Sequence, residues 1–85
     1  MKTEKAFNHK LKRCLRCARK KQMPQKVASQ MGLNAGIYFG LEQGMFPMSV
    51  YNLYAFMHAT GQDAEFVKQI FDDNWNPPSM GKNNK

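Results

Sequence analysis

Residues that typically cap or terminate helices recur at short intervals along this chain, and their spacing constrains the fold more than any other feature. Between them lie segments whose apolar residues are three and four positions apart, the spacing of one helix face. No segment alternates apolar and polar residues as a half-buried β-strand does. We therefore expect an all-α protein, a compact bundle of about five short helices. The residues that are predicted to begin or end helices are Pro24, Gly32, Asn34, Gly44, Pro47, Ser49, Gly61 and Asp63.

Each predicted helix has an apolar face that a bundle would bury. The first is predicted over Ala6–Lys21, and the third over Ala35–Gln43 with Asn34 as its N-cap. The residues expected to point inward, helix by helix, are Phe7, Leu11, Cys14, Leu15 and Ala18; Val27, Ala28 and Met31; Tyr38 and Leu41; Val50, Leu53, Tyr54 and Met57; and Phe66, Val67, Ile70 and Phe71.

The chain of 85 residues is long enough for one domain, which we assign to residues 1–73. Residues 74–85 are rich in Pro, Asn and Gly and are predicted to be a flexible C-terminal tail. Trp75 is the one large apolar residue near the start of this tail, so it is expected either to fold back or to meet a partner.

Positive charge is concentrated at the beginning of the chain. Residues 1–26 contain ten Lys and Arg residues and one acid, Glu4, so this segment has a net charge of +9 and the rest of the chain −2. Such a basic segment is typical of proteins that bind a polyanion, because each neutralised phosphate releases a counterion. A solvated helix face would have the same composition. An anionic membrane surface fits less well, because the apolar residues of this segment are needed for the core.

Few residues point to catalysis, redox chemistry or metal binding. Cys14 and Cys17 form a single CxxC, whereas a structural zinc site needs four ligands, so we expect Cys14 in the core and Cys17 at or near the surface. We expect Asp72 and Asp73 to be solvated and His58 to be a surface or packing residue. The sequence thus predicts no enzyme activity, cofactor, metal or small-molecule ligand. Because it shows neither a membrane span nor a signal peptide, we expect a soluble, cytoplasmic protein.

Residues 27–34 have the pattern of a helix-turn-helix. Ala28 is small where two helices would cross closely, Gly32 allows the turn, and Leu33 fills the angle between the helices. This arrangement lets the N-terminal end of the second helix enter a DNA major groove. The predicted bundle therefore contains a helix-turn-helix.

From about Leu11 to Phe66 the chain resembles the phage-repressor family of helix-turn-helix domains (Cro/CI-type, XRE). The resemblance rests on the joint spacing of Val27–Ala28, Gly32–Leu33–Asn34, Leu41–Glu42–Gln43–Gly44, Pro47 and Gly61. It implies a five-helix fold, a homodimer as the usual working unit, and recognition of operator DNA by the second helix of the motif. It also implies that Glu42 interacts with the helical framework. The family's phosphate-contacting glutamine falls on either Pro24 or Gln25, because the first turn differs in length.

The candidate DNA-binding residues fall into two groups. Those predicted to face bases are Asn34, Ala35, Gly36, Phe39, Gly40 and Gln43. Only Asn34 and Gln43 among them have hydrogen-bonding side chains, so specificity would also depend on thymine methyl contacts and DNA shape. Those predicted to contact phosphate are Lys12, Arg13, Arg16, Arg19, Lys20, Lys21, Gln25 and Lys26. Together with the resemblance, they predict a sequence-specific transcriptional regulator that binds double-stranded DNA. The resemblance implies a phage or bacterial repressor that binds a palindromic operator as a dimer.

A second interpretation keeps the fold but replaces DNA with a protein partner. Ile37, Phe39 and the neighbouring glycines would then form a small apolar patch for protein–protein interaction.

The homodimer is expected to form through the fifth helix, because this helix has more apolar residues than one face of a small bundle usually buries. The predicted dimer interface is Phe66, Val67, Ile70, Phe71 and Trp75.

Overall fold

The structure is a computed structural model that describes residues 3–77, and within that range it contains five helices and no strand. The predicted all-α bundle of five short helices is confirmed. The helices are α1 (Glu4–Arg19), α2 (Pro24–Met31), α3 (Ala35–Glu42), α4 (Val50–Thr60) and α5 (Ala64–Phe71). Helix α2 packs against α3 and α4, and α1 packs against α3 and α5.

Side-chain caps determine where most of these helices begin. Asn34, Ser49 and Asp63 accept hydrogen bonds from backbone N–H groups in the first turns of α3, α4 and α5, as predicted. Helix α1 begins before the predicted Ala6, because the Thr3 hydroxyl accepts a hydrogen bond from the backbone N–H of that residue and caps the helix.

One apolar core joins all five helices. Phe56 of α4 is fully buried, and its ring stacks on Tyr38 of α3 with 6.4 Å between centroids. The same ring lies 6.0 Å from that of Phe66 in α5, so one aromatic side chain connects three helices. The buried residues of this core are Cys14, Leu15, Ala18, Val27, Ala28, Met31, Tyr38, Ala55, Phe56, Phe66 and Ile70.

The inward face of α4 differs from the prediction. Val50 is 86% exposed and Tyr54 is 58% exposed, so the prediction that they point inward is wrong. Leu53 and Met57 are partly buried against the core, as predicted, and Phe56 is the fully buried residue of this helix. Because α4 is apolar around most of its circumference, its periodicity does not select a face, and packing against α2 does.

The apolar residues of α5 are used mainly inside the chain. Phe66 and Ile70 are buried in the core, so the prediction that they form a dimer interface is wrong. Val67 is half-buried, and Phe71 is exposed but stacks on Phe7 of α1 with 6.0 Å between ring centroids. The apolar residues of α5 are therefore used partly by the core and partly by a ring contact with α1, and the pattern of one segment could show neither.

The predicted flexible tail does not begin at residue 74. Trp75 is half-buried against the core and Pro77 is buried, so residues 74–77 belong to the packed domain. Of the two outcomes expected for Trp75, the structure shows that it folds back. The remainder of the predicted tail, residues 78–85, lies outside the described residues.

Two basic side chains of α1 hold this segment in place. Lys10 is buried; its Nζ donates a hydrogen bond to the carbonyl oxygen of Asp72 and lies 5.7 Å from the centroid of the Trp75 ring. Arg13 Nη2 donates to the carbonyl oxygen of Pro77 at 3.0 Å. Part of the basic charge of α1 therefore serves the fold.

Candidate nucleic-acid interface

The turn between α2 and α3 is built from local interactions. Gly32 has a φ of 78°, a left-handed conformation that glycine adopts without strain, and its N–H donates to Ser29 O at 3.1 Å. The half-buried Leu33 packs against the core and donates from its backbone N–H to Ala28 O at 2.9 Å. Asn34 then begins α3. The three-residue connection makes α2 and α3 a helix-turn-helix, as the sequence predicts.

A buried carboxylate connects the end of α3 to α1. Glu42 is 1% exposed; its Oε1 accepts from Arg19 Nε at 2.7 Å and its Oε2 from Arg19 Nη2 at 3.0 Å. The Tyr38 hydroxyl donates to the same Oε1 at 2.6 Å. Burial and the hydrogen bond to Glu42 raise the pKa of Tyr38 well above its ordinary value, so this hydroxyl stays protonated and remains a donor. The expectation that Glu42 interacts with the helical framework is confirmed.

Contacts within the protein make two of the candidate phosphate-binding arginines less available to DNA. The Arg19 side chain is 17% exposed and is held by both carboxylate oxygens of Glu42. Arg19 is therefore not available to a phosphate, and its assignment to that group is wrong. Arg13 is half-buried, and one of its nitrogens is bonded to the backbone of the C-terminal segment.

The exposed surface of α3 is small, apolar and uncharged. Ala35 and Gly36 are exposed, and Ile37 and Phe39 are 44% and 50% exposed. A Cβ added at Gly36 would contact only the Asn34 side-chain oxygen, at an ordinary distance of 3.5 Å. The fold itself therefore does not require glycine at this position.

The second glycine of α3 has a different environment. Gly40 is buried under the ring of Phe46, and a Cβ added there would lie 2.3 Å from Phe46 Cε2. The prediction that Gly40 faces DNA bases is wrong, because the segment after α3 folds back over it. Gln43, predicted to face bases, is the half-buried C-cap of α3.

Asn34 has one hydrogen-bonding function left after it caps the helix. Its Oδ1 accepts from the backbone N–H of Ile37 at 2.8 Å, which identifies the other terminal atom as the amide nitrogen. Asn34 is exposed, so this NH₂ group is a donor at the N-terminal end of α3. It would match an acceptor such as a phosphate oxygen or a purine N7.

Three exposed lysines surround the start of α2. Lys20, Lys21 and Lys26 line one open depression at the turn between α1 and α2. Pro24 occupies the first position of α2 and the exposed Gln25 the second, so of the two candidates only Gln25 can offer a side-chain hydrogen bond here. The N-terminus of a helix carries partial positive charge, which adds to that of the lysines. This lysine cluster therefore brings three exposed positive charges together beside the start of α2.

A basic ridge on α1 continues into the lysine cluster. Lys12 and Arg16 are four residues apart on one face of α1, and Lys20, four residues further on, is the C-cap residue that ends this helix. Arg16 and Lys20 are exposed, and Lys12 is half-buried beside the segment that follows α3. The predicted phosphate contacts that remain accessible therefore form one ridge and one cluster.

A second exposed surface, on α4, was missed by the sequence analysis. We call it the α4 stripe: Val50, Tyr51, Tyr54 and His58, all exposed. The ring centroids of Tyr51 and Tyr54 are 6.2 Å apart, and those of Tyr54 and His58 are 5.2 Å apart. The near absence of charge could have indicated it: between positions 27 and 62 the sequence contains one residue among Asp, Glu, Lys and Arg, the buried Glu42, so the exposed residues of α4 had to be uncharged or His.

No protein-family model, curated protein or solved structure matches this chain. Within residues 3–77 no group of His, Cys, Asp or Glu side chains is arranged to hold a metal ion. None of the helices in that range is long and apolar enough to cross a membrane. Cys14 is buried, which raises the pKa of its thiol, and Cys17 is half-buried, so the prediction of a core cysteine is confirmed.

Proposed function

We propose that this protein is a transcriptional regulator that binds double-stranded DNA, a repressor of the phage-repressor helix-turn-helix type. The observation that carries the proposal is the placement of Lys20, Lys21 and Lys26 around the start of the first helix of a helix-turn-helix. Phosphate favours such a site, because the lysine charges and the helix dipole have the same sign. The exposed Gln25 adds a hydrogen-bond donor beside them.

In this proposal phosphate contacts supply most of the affinity and α3 supplies a small number of base contacts. The Asn34 NH₂ group donates to an acceptor on a base or phosphate, and Phe39 packs against a thymine methyl. Gly36 has no side chain, so the backbone of α3 can approach the DNA closely. Such a protein discriminates strongly at few base pairs and depends elsewhere on DNA shape.

The first test measures how binding depends on salt. A DNA site is selected from random duplexes, and the selected duplex is titrated at several salt concentrations with the wild type, with Lys21→Gln/Lys26→Gln and with Lys5→Gln/Lys68→Gln. The last variant removes the same charge from exposed positions on α1 and α5. Because the logarithm of the binding constant falls with that of salt by about 0.9 per phosphate contact, we expect the cluster variant to reduce this slope by about 1 to 2.

The control variant should leave the slope nearly unchanged. Equal slopes for the two variants would show that the cluster is not the phosphate-binding surface. A wild-type protein that binds no selected duplex at low salt would refute the proposed function itself.

The second test separates the two roles of Asn34. Asn34→Asp keeps an oxygen that caps α3 but replaces the NH₂ group with a second, negatively charged oxygen. We expect an unchanged melting temperature and an affinity for the selected duplex at least about tenfold weaker. Thr3→Asp is the control, because it places the same residue at the N-cap of α1. Equal losses in the two variants would contradict a contact between Asn34 and DNA.

The exposed apolar side of α3 supports a second candidate function, binding of another protein through Ile37 and Phe39. Such an interaction would persist at high salt and in the absence of DNA, because it would bury apolar surface rather than release counterions. Phe39→Ser should then abolish it, whereas Lys21→Gln/Lys26→Gln should not. The lysine cluster favours DNA, and the salt titration distinguishes the two functions.

A further inference from the structure

We propose that a strained turn holds Lys20 in place for contact with a DNA phosphate, and that glycine at this position would favour the fold but weaken DNA binding. This inference rests on the proposed function and deepens it, because it identifies the residue of the lysine cluster whose identity the fold does not explain. It predicts opposite preferences at one position for stability and for binding.

Residues 19–22 form a β-turn between α1 and α2. The backbone N–H of Gln22 donates to the carbonyl oxygen of Arg19 at 3.0 Å, which closes the turn. Lys20 is its second residue, with a φ of 54° and a ψ of −121°. These angles are those of the second position of a type II′ turn, the mirror image of type II, where glycine predominates. Lys20 is the one non-glycine residue with a positive φ within residues 3–77.

The path of the chain requires this conformation at position 20, but it does not require a lysine. Glycine adopts a positive φ readily, because it has no Cβ to crowd the neighbouring backbone, whereas any residue with a Cβ is strained there. The other described residues with positive φ are all glycines. Lysine at this position therefore lowers the stability of the turn, and the reason for it has to be sought in its side chain.

The side chain of Arg19 keeps the turn in this conformation. Its Nη1 donates to the carbonyl oxygen of Gln22 at 3.0 Å, so Arg19 is bonded to Gln22 through both its backbone and its guanidinium. The same guanidinium is held by the buried Glu42. Strained backbone persists where the surrounding structure holds it. The network of Arg19, Tyr38 and Glu42 therefore also fixes the position of Lys20.

No contact of the Lys20 side chain inside the protein offsets the strain. Lys20 is exposed, and within residues 3–77 its ammonium forms no hydrogen bond and no ion pair. The C-terminal end of a helix favours a cation, but Arg16 and Arg19 already provide two in the last turn of α1. Lys21 and Lys26 line the same depression, so their charges repel that of Lys20.

An anion in this depression would reverse the balance. A phosphate there is attracted by all three lysines, and no Asp or Glu lines the depression to oppose it. Lys20 is also the residue through which the basic ridge of α1 joins the lysine cluster. Strain without compensation inside the fold is typical of functional sites. The contact that compensates for it is therefore assigned to a DNA phosphate.

The first arm of the test measures the strain by thermal unfolding without DNA. Lys20→Gly and Lys20→Ala remove the same charge, but only glycine relieves the turn. We expect the melting temperature of Lys20→Gly to exceed that of Lys20→Ala by at least about 4 °C. Lys21→Gly and Lys21→Ala are the matched control pair, because Lys21 is exposed in the same turn but has no positive φ. There glycine should be no more stable than alanine.

The second arm measures binding to the selected duplex at several salt concentrations. Lys20→Gly and Lys20→Ala should each reduce the salt slope by about 0.9, the loss of one phosphate contact, although one of them is the more stable protein. Lys20→Arg keeps the charge and should keep the wild-type slope. Lys5→Ala, at an exposed position near the start of α1, should also leave the slope unchanged.

The outcomes separate this inference from the proposed function. A wild type that binds the duplex, together with an unchanged slope in Lys20→Gly, would refute the contact of Lys20 alone. A melting temperature of Lys20→Ala equal to or above that of Lys20→Gly would refute the strain. A wild type that binds no duplex would remove the proposed function and the contact with it.

Discussion

The network of Arg19, Tyr38 and Glu42 makes a quantitative prediction about stability. Replacing Arg19 by Met keeps most of the side-chain volume but removes the positive charge beside Glu42 and both hydrogen bonds to its carboxylate. It also removes the hydrogen bond that Arg19 Nη1 donates to the carbonyl oxygen of Gln22 at 3.0 Å. The Glu42 side chain is 2% exposed, so its carboxylate cannot recover hydration without unfolding the end of α3. Of the side-chain hydrogen bonds to the Glu42 carboxylate within residues 3–77, the one from the Tyr38 hydroxyl would remain.

The expected cost is a large part of the total stability. Removing one partner of a buried ion pair costs about 3–5 kcal/mol. A domain of this length is stable by about 4–13 kcal/mol, at the usual 0.05–0.15 kcal/mol per residue. Since 1 kcal/mol shifts the midpoint of a small domain by about 4–8 °C, Arg19→Met should lower the melting temperature by at least about 12 °C. Glu42→Gln should cost less, because the Arg19 side chain is 17% exposed and can turn toward water.

Urea unfolding followed by circular dichroism measures these differences. Arg16→Met is the matched control, because Arg16 is exposed one turn earlier on the same helix, and it should change stability by less than about 0.5 kcal/mol. The triple variant Arg19→Met/Tyr38→Phe/Glu42→Leu should be more stable than Arg19→Met alone, because it removes the buried carboxylate together with its hydrogen-bond partners. Equal stabilities of Arg19→Met and Arg16→Met would refute the reasoning.

Two further predictions concern α3. Gly36→Ala should stabilise the protein by about 0.5–1 kcal/mol, because its Cβ would meet only the Asn34 side-chain oxygen, at an ordinary 3.5 Å, and alanine favours the helix. Gly40→Ala should gain none of this, because the Phe46 ring must move, and equal gains in thermal unfolding would contradict the packing. The pKa of Tyr38 is raised in the folded protein, so its contribution is complete below about pH 10 and is lost as the pH rises through the folded-state value. Wild-type urea midpoints should therefore fall more steeply above pH 10 than those of Tyr38→Phe, and parallel curves would show that Tyr38 ionises normally.

The sequence predicted correctly mainly those features of the candidate site that depend on residues close together in the chain. Asn34 as the cap of α3 and the exposure of Phe39 follow from the motif and its helical spacing. The assignments that failed, Arg19 to phosphate and Gly40 to bases, depend on partners elsewhere in the chain. An arginine in a basic segment has the same local sequence context whether it meets a phosphate or a buried carboxylate, so sequence could not separate the two.

The sequence by itself determined the number of helices and nearly all their limits. A capping side chain such as Ser49, or a glycine such as Gly32, acts on backbone groups within a few residues, so its effect can be derived without knowing the rest of the fold. For the same reason the position of the turn between α2 and α3 follows from the chain alone.

Only the tertiary structure decided which sides of those helices are accessible. Helix α4 is apolar nearly all round, and packing buries Phe56 between Tyr38 of α3 and Phe66 of α5 but leaves Tyr54 at the surface. Lys10 of α1 is buried because it contacts the Asp72 carbonyl oxygen and the Trp75 ring, whereas Lys20, directly after α1, stays exposed. Burial depends on neighbours that are distant in sequence, so the accessible sides of the helices are decided only when the helices pack.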